Sequence, residues 1–115
     1  MPHLNWIKCQ KNQWCPLNRV DLSYVTTQGV YVIWYSGNPG KVVYVGQGNL
    51  SARITADRFN LDITQYAKHG RLHVTWAAVP AADRDGVVRH LADKLNPLVG
   101  AVHRDVVPLA ANAPW

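Results

Sequence analysis

Apolar and polar residues change their period several times along the chain, and each change marks an element. "VYVIWY" (30–35) and "KVVYVG" (41–46) are rich in Val, Ile, Tyr and Trp, the composition of β-strands. "SGNPG" (36–40) between them is a turn signal, since Gly and Asn tolerate unusual backbone angles and Pro fixes its own. Asn49 can cap a helix that starts at Leu50, with Ile54 one turn along. Asp62 can cap a second, "ITQYAKH", closed by Gly70 in the C′ position. "LHVTWAAV" (72–79) alternates Leu72, Val74 and Trp76 with His73, Thr75 and Ala77, which predicts a third strand. Asp83 then caps a helix whose Val87, Val88, Leu91, Ala92 and Leu95 form one stripe, and Asn96-Pro97 ends it. Residues 1–28 hold Trp6, Trp14, Leu17, Val20 and Leu22 without steady periodicity and read as an irregular lead-in packed on the core. The tail "HRDVVPLAANAPW" reads as extended.

The order is β-β-α-α-β-α: an α/β domain (an α+β sandwich) with a three-stranded antiparallel sheet flanked by helices. No repeat, low-complexity tract or linker divides the chain, so 1–115 is predicted to be one domain. Within the hairpin, Tyr31, Ile33 and Tyr35 share a face. A loop of residues 36–39 pairs Tyr35 with Gly40 and sets Tyr31 directly opposite Tyr44. One more loop residue turns Tyr44 to the other face, unless a bulge corrects it.

Composition bounds the function. At 115 residues, with 48% apolar and 17% charged residues, the chain can bury one core and is not disordered. No apolar run approaches the ~20 residues of a membrane span, and "MPHLNWIKCQKNQW" lacks the apolar stretch of a signal peptide. The expectation is a cytoplasmic domain with no membrane contact. Twelve Lys and Arg against seven acids give a net charge of +5, which suits a polyanion such as DNA or RNA. The basic residues are scattered, so folding must assemble any patch. All the acids are Asp; there is no Glu. Cys9 and Cys15 lack the spacing of a zinc pair and read as two buried or half-buried thiols. His69, His73, His90 and His103 show no metal pattern.

"GVY" (29–31) and "YVG" (44–46), followed by Arg53, "HLADKLNPLVG" (90–100) and Asn112, resemble the signatures of the GIY-YIG nuclease superfamily over roughly residues 29–115. The resemblance implies cleavage of a DNA phosphodiester with one divalent cation, Mg²⁺ or Mn²⁺. It gives Tyr31 and Tyr44 the phenol roles and Arg53 the phosphate contact, with Asn112 matching a late Asn of the family. Gln47 falls at the edge of the implied site, and Lys41 and Arg58 are expected as further substrate contacts. The chemistry explains these types. Attack on a phosphodiester builds negative charge on nonbridging oxygens, which a cation and an Arg fork stabilise.

The match breaks in two places. The family's metal-binding Glu lies nine residues before the Pro of the "NP" segment, and here that position is Val88. Asp57 stands one turn after Arg53, where the family has His or Tyr. Three explanations compete. Val88 can be a packed residue of a site that no longer cuts. Asp85 or Asp57 can supply a relocated carboxylate, although Asp83 and Asp85 also suit a helix start and Asp57 can pair with Arg53 or Arg58. Val88 can also be an inactivating change, since Glu and Val codons can differ by one base. A binding module without cleavage, or a protein-interaction domain using the five tryptophans, is the alternative function.

Overall fold

A computed structural model describes residues 3–37, 40–100 and 105–115. Asn38 and Pro39 of the expected turn, and His103, lie outside the described residues. Four strands form one antiparallel sheet: β1 (Cys15–Pro16), β2 (Gln28–Tyr35), β3 (Lys41–Asn49) and β4 (Leu72–Ala78), in the spatial order β1-β4-β2-β3. Between β3 and β4 come α1 (Leu50–Asp57) and the single turn α2 (Leu61–Thr64), which tightens into a 3₁₀ turn, Gln65–Lys68. The helix α3 (Ala81–Leu95) follows β4.

The sheet therefore has four strands where the sequence predicts three. The extra one comes from the lead-in, where Cys15 pairs with Val74 and Pro16 with His73. Ile7 N–H also donates to Trp76 O, and Leu17 N–H to Leu72 O, each at 3.0 Å. This closes the outer edge of β4, whose backbone groups would otherwise be bare. A two-residue strand has no periodicity to read, which is why the lead-in looks irregular in sequence.

The strand β2 lies at the centre, and Val30, Tyr31, Val32 and Ile33 are fully buried. Its two faces feed two cores. Tyr31, Ile33 and Tyr35 pack with Leu50, Ile54 and Ile63 on the α1 side, while Val30 and Val32 pack with Val87, Val88 and Leu91 of α3 on the other. The molecule is thus layered helix, sheet, helix.

The caps are partly as the sequence suggests. Asn49 Oδ1 accepts from Ala52 N–H at 3.2 Å, as expected. For α2 the cap is Asn60 instead of Asp62, because Asn60 Oδ1 takes the Asp62 N–H at 3.0 Å. Likewise α3 starts after Pro80, which places Asp83 in the first turn and not at the cap. Asn96 closes α3 in the left-handed region at φ 55°, ahead of Pro97. Gly70 follows the C-cap residue His69, the C′ position expected, and its lack of a side chain also serves close packing, since a Cβ there would run into the Ser36 carbonyl.

Cys9 and Cys15, expected as thiols, form a disulfide with Cα atoms 5.1 Å apart. Disulfides are uncommon in a reducing cytosol, which sets this pair against the cytoplasmic expectation. Among the described residues no helix is long and apolar enough to cross a membrane. Loop-closure entropy assigns about 2 kcal/mol to a ring this short. Replacing both cysteines with Ser is expected to lower stability by about that amount, read from urea midpoints. Reductant should shift the parent equally and leave the variant unmoved.

Candidate active site

The site is built around the hairpin. Tyr35 pairs with Lys41 and Trp34 with Val42, so the loop is one residue longer than the register that sets Tyr31 opposite Tyr44. Continued unchanged, that register would turn Tyr44 to the α3 face. A bulge intervenes: Ile33 pairs with Tyr44 and Tyr31 with Gly46, leaving Val43 as the extra residue. Val43 and Tyr44 consequently both face the α1 side. The two tyrosines are diagonal neighbours, with ring centroids 5.9 Å apart.

Gly46 has a steric reason. A Cβ there would overlap the Tyr31 ring, so only glycine lets the phenol lie across β3. Tyr31 is fully buried, and its O–H donates to Asp57 Oδ2 at 2.5 Å. Asp57 is itself only 7% exposed. It reaches the phenol because Leu50, Ile54 and Asp57 form the inward stripe of α1. Burial holds the Asp57 carboxyl above its ordinary range, against the opposing pull of Tyr31 and the Arg53 charge. Burial first, and then the bond to Asp57, pushes the Tyr31 phenol well above its usual value.

Arg53 extends from the exposed side of α1, where the electrostatic influence of Tyr31 first and of Tyr44 after it holds its guanidinium above the usual arginine range. Gly48 takes φ 124°, a conformation that side-chain-bearing residues rarely adopt, and lies against the Arg53 side chain. The hydrogen of Tyr31 goes to Asp57, so the phenol oxygen turns its lone pairs away from that carboxylate.

Tyr44, unlike Tyr31, keeps part of its surface exposed. It opens onto a cleft of about 130 Å³ at the outer edge of β3, whose walls include Val88, Ala92, Pro97, Val99 and Gly100. Val88, 3% exposed and packed in the α3 core, thus shares a recess with Tyr44.

The remaining expected residues separate. Gln47 lies on the α3 face and donates from Nε2 to Asp85 Oδ1 at 2.6 Å, so these two are neighbours. The guanidinium of Arg58 is occupied by the lead-in, with Nε donating to Leu17 O at 2.8 Å and another nitrogen to Val20 O. Asn112 is a tie between chain ends: its Oδ1 accepts from Leu4 N–H at 2.6 Å and its Nδ2 donates to Leu4 O at 2.9 Å. Both side chains therefore tie remote parts of the chain together. Lys41 is exposed at the tip of the hairpin, three residues before Tyr44. The pairing of Asp57 with Tyr31, in place of Arg53 or Arg58, is the contact the sequence reading missed. Its signal was there, since positions 50, 54 and 57 follow helical spacing and the first two are apolar.

The donors present are few for a Mg²⁺ or Mn²⁺ ion. Val88 offers no oxygen, Asp57 accepts from Tyr31, and no group of three or more His, Cys or acidic residues able to hold a metal occurs among the described residues. No protein-family profile, curated protein or solved structure matches this chain.

Two variants test the buried pair. Asp57 binds its proton more tightly folded than unfolded, so its contribution to stability falls as pH rises from about 4. Asp57→Asn keeps an acceptor for Tyr31 and is expected to gain on the parent in urea midpoints as pH rises above about 4; parallel curves would refute the assignment. Tyr31→Phe leaves the carboxylate without its donor and should cost about 1–3 kcal/mol.

Proposed function

We propose that this chain is a DNA-binding domain on a GIY-YIG-type nuclease framework, its metal-dependent cleavage weak or lost because Val88 stands at the position of the metal-binding carboxylate. The observation that carries the reading is the meeting of Arg53 with the phenols of Tyr31 and Tyr44, from three separate elements, beside a cleft that Val88 lines. Hairpin packing alone does not require an arginine beside two tyrosines.

Within this reading the two phenols have different jobs. Tyr44 and Arg53 have exposed surface and take the phosphate: the guanidinium offers paired donors to nonbridging oxygens, and the phenol adds one more. Tyr31 is fully buried and supports Arg53 from below, with Asp57 fixing the direction of its hydrogen. A phenol so placed is a poor base at neutral pH, because losing its proton would put a second negative charge beside Asp57. The net charge of +5 adds long-range attraction for a polyanion.

Plasmid nicking by the parent and by Val88→Glu, with Mg²⁺, with Mn²⁺ and with chelator, is the direct test. The parent is expected to bind DNA in a salt-dependent manner without nicking, and the variant to nick when metal is present. Nicking by the parent as fast as by Val88→Glu would make Asp85 or Asp57 the ligand and refute the role given to Val88. Arg53→Gln should weaken DNA binding about tenfold or more and flatten its salt dependence by about one charge. Equal affinity of parent and variant would remove the phosphate from Arg53.

A further inference from the structure

The tip of the hairpin carries a second recess that the tyrosine site does not use. Trp14, Trp34, Trp115, Tyr35, Lys41 and Lys94 line a cavity of about 620 Å³, within the range of small-ligand sites. The three indoles pack edge to face, with centroids 5.3 Å apart for Trp14 and Trp34, 6.0 Å for Trp14 and Trp115, and 4.8 Å for Trp34 and Trp115. They come from the lead-in, the central strand and the chain end, so only the fold assembles them. Trp14 precedes Cys15, whose disulfide and pairing with Val74 fix that part of the lead-in. Lys8 Nζ stands 4.5 Å from the Trp14 ring centre, adding positive charge beside the aromatic wall.

The lining selects its ligand by two features at once. Indole rings favour a flat π-surface, and two exposed lysines with no acidic residue among the described lining favour an anion. A cationic ligand would be repelled. An apolar peptide would leave both ammonium groups unused. An aromatic base joined to a phosphate satisfies both features. A base inside a duplex is stacked and cannot enter a concave recess, so the nucleotide must be unpaired.

Position supplies the second argument. Asn96 and Leu98 line this cavity, while the alternate residues Pro97 and Val99 line the cleft of Tyr44. One short segment therefore divides the two recesses. Val42 of β3 lines the first and Tyr44 the second, on either side of the bulge at Val43. That is a short step for a polynucleotide backbone.

We infer that the tryptophan cavity holds an unpaired nucleotide of the DNA strand whose phosphate lies on Arg53 and Tyr44, with its base among the indoles and its own phosphate at Lys41 and Lys94. The inference rests on the DNA reading above and gives that reading a substrate class: single-stranded, frayed or branched DNA in preference to plain duplex.

The test titrates the full chain with a short oligothymidine, with a blunt duplex of the same length, and with free thymidine monophosphate, following tryptophan fluorescence. The single strand is expected to quench the tryptophans and to bind more tightly than the duplex. Trp115 is 58% exposed, so Trp115→Ala removes stacking surface with little loss of core. It should weaken single-strand binding at least about fivefold and leave duplex binding unchanged. Lys94→Gln should lower the salt slope for the single strand by about one. Thermal unfolding of each variant checks that the fold is kept; if Trp115→Ala unfolds, Lys94→Gln carries the test alone. Equal loss for single strand and duplex, or no loss for either, overturns the cavity as a base site. Quenching by the free nucleotide that matches the oligonucleotide overturns the strand as its occupant. Salt-dependent duplex binding without single-strand preference sinks this inference and spares the DNA reading, whereas no binding of either DNA sinks both.

Discussion

The bulge at Val43 is the constraint from which the rest of the site follows. Without it the hairpin's register would send Tyr44 into the α3 core and leave Tyr31 and Arg53 without a second phenol. With it, Val43 and Tyr44 sit together on the α1 face, and β3 bends where its outer edge is exposed. That edge does not stay bare. Leu98 N–H donates to Val42 O at 3.2 Å and Val99 N–H to Val43 O at 2.8 Å, so the segment after α3 is pinned to the bulge. The same pinning creates the cleft beside Tyr44 and separates it from the tryptophan cavity. One backbone irregularity thus sets two recesses.

Beneath the surface, burial assigns different work to residues of similar type. Tyr31 and Tyr44 are both strand tyrosines of one hairpin, yet Gly46 admits the first across the strand and covers it, while the second stays half-exposed. Arg53 lies within α1 and Arg58 caps its C-terminal end, and only Arg53 is turned toward the phenols; Arg58 holds the lead-in by two backbone carbonyls. Asp57 is inward on α1 and Asp85 outward on α3, hydrogen-bonded to Tyr31 and Gln47 respectively. Residue type alone distinguishes none of these pairs.

The lead-in has more structural weight than its sequence suggests. It supplies a strand to the sheet, the disulfide, the carbonyls that hold Arg58, and a wall of the tryptophan cavity. Its partners are distant in the chain, as with Asn112 and Leu4, 108 residues apart. Local periodicity carries no trace of contacts at that separation.

What the sequence determined by itself was whatever depends on near neighbours: the hairpin, the α1 start at Asn49, the stripe of α3, the third long strand, and the absence of a carboxylate at Val88. Those features follow from side-chain period and backbone preference within a few residues. Tertiary structure decided what depends on register and on contacts between remote segments. A single extra residue in a loop reverses a strand's faces, and only the packed sheet shows that a bulge at Val43 restores them. The union of Cys9 with Cys15, the burial of Asp57 against Tyr31, and the gathering of Trp14, Trp34 and Trp115 are decisions of the same kind. Each is fixed by which surfaces are left to be covered once the two cores have closed.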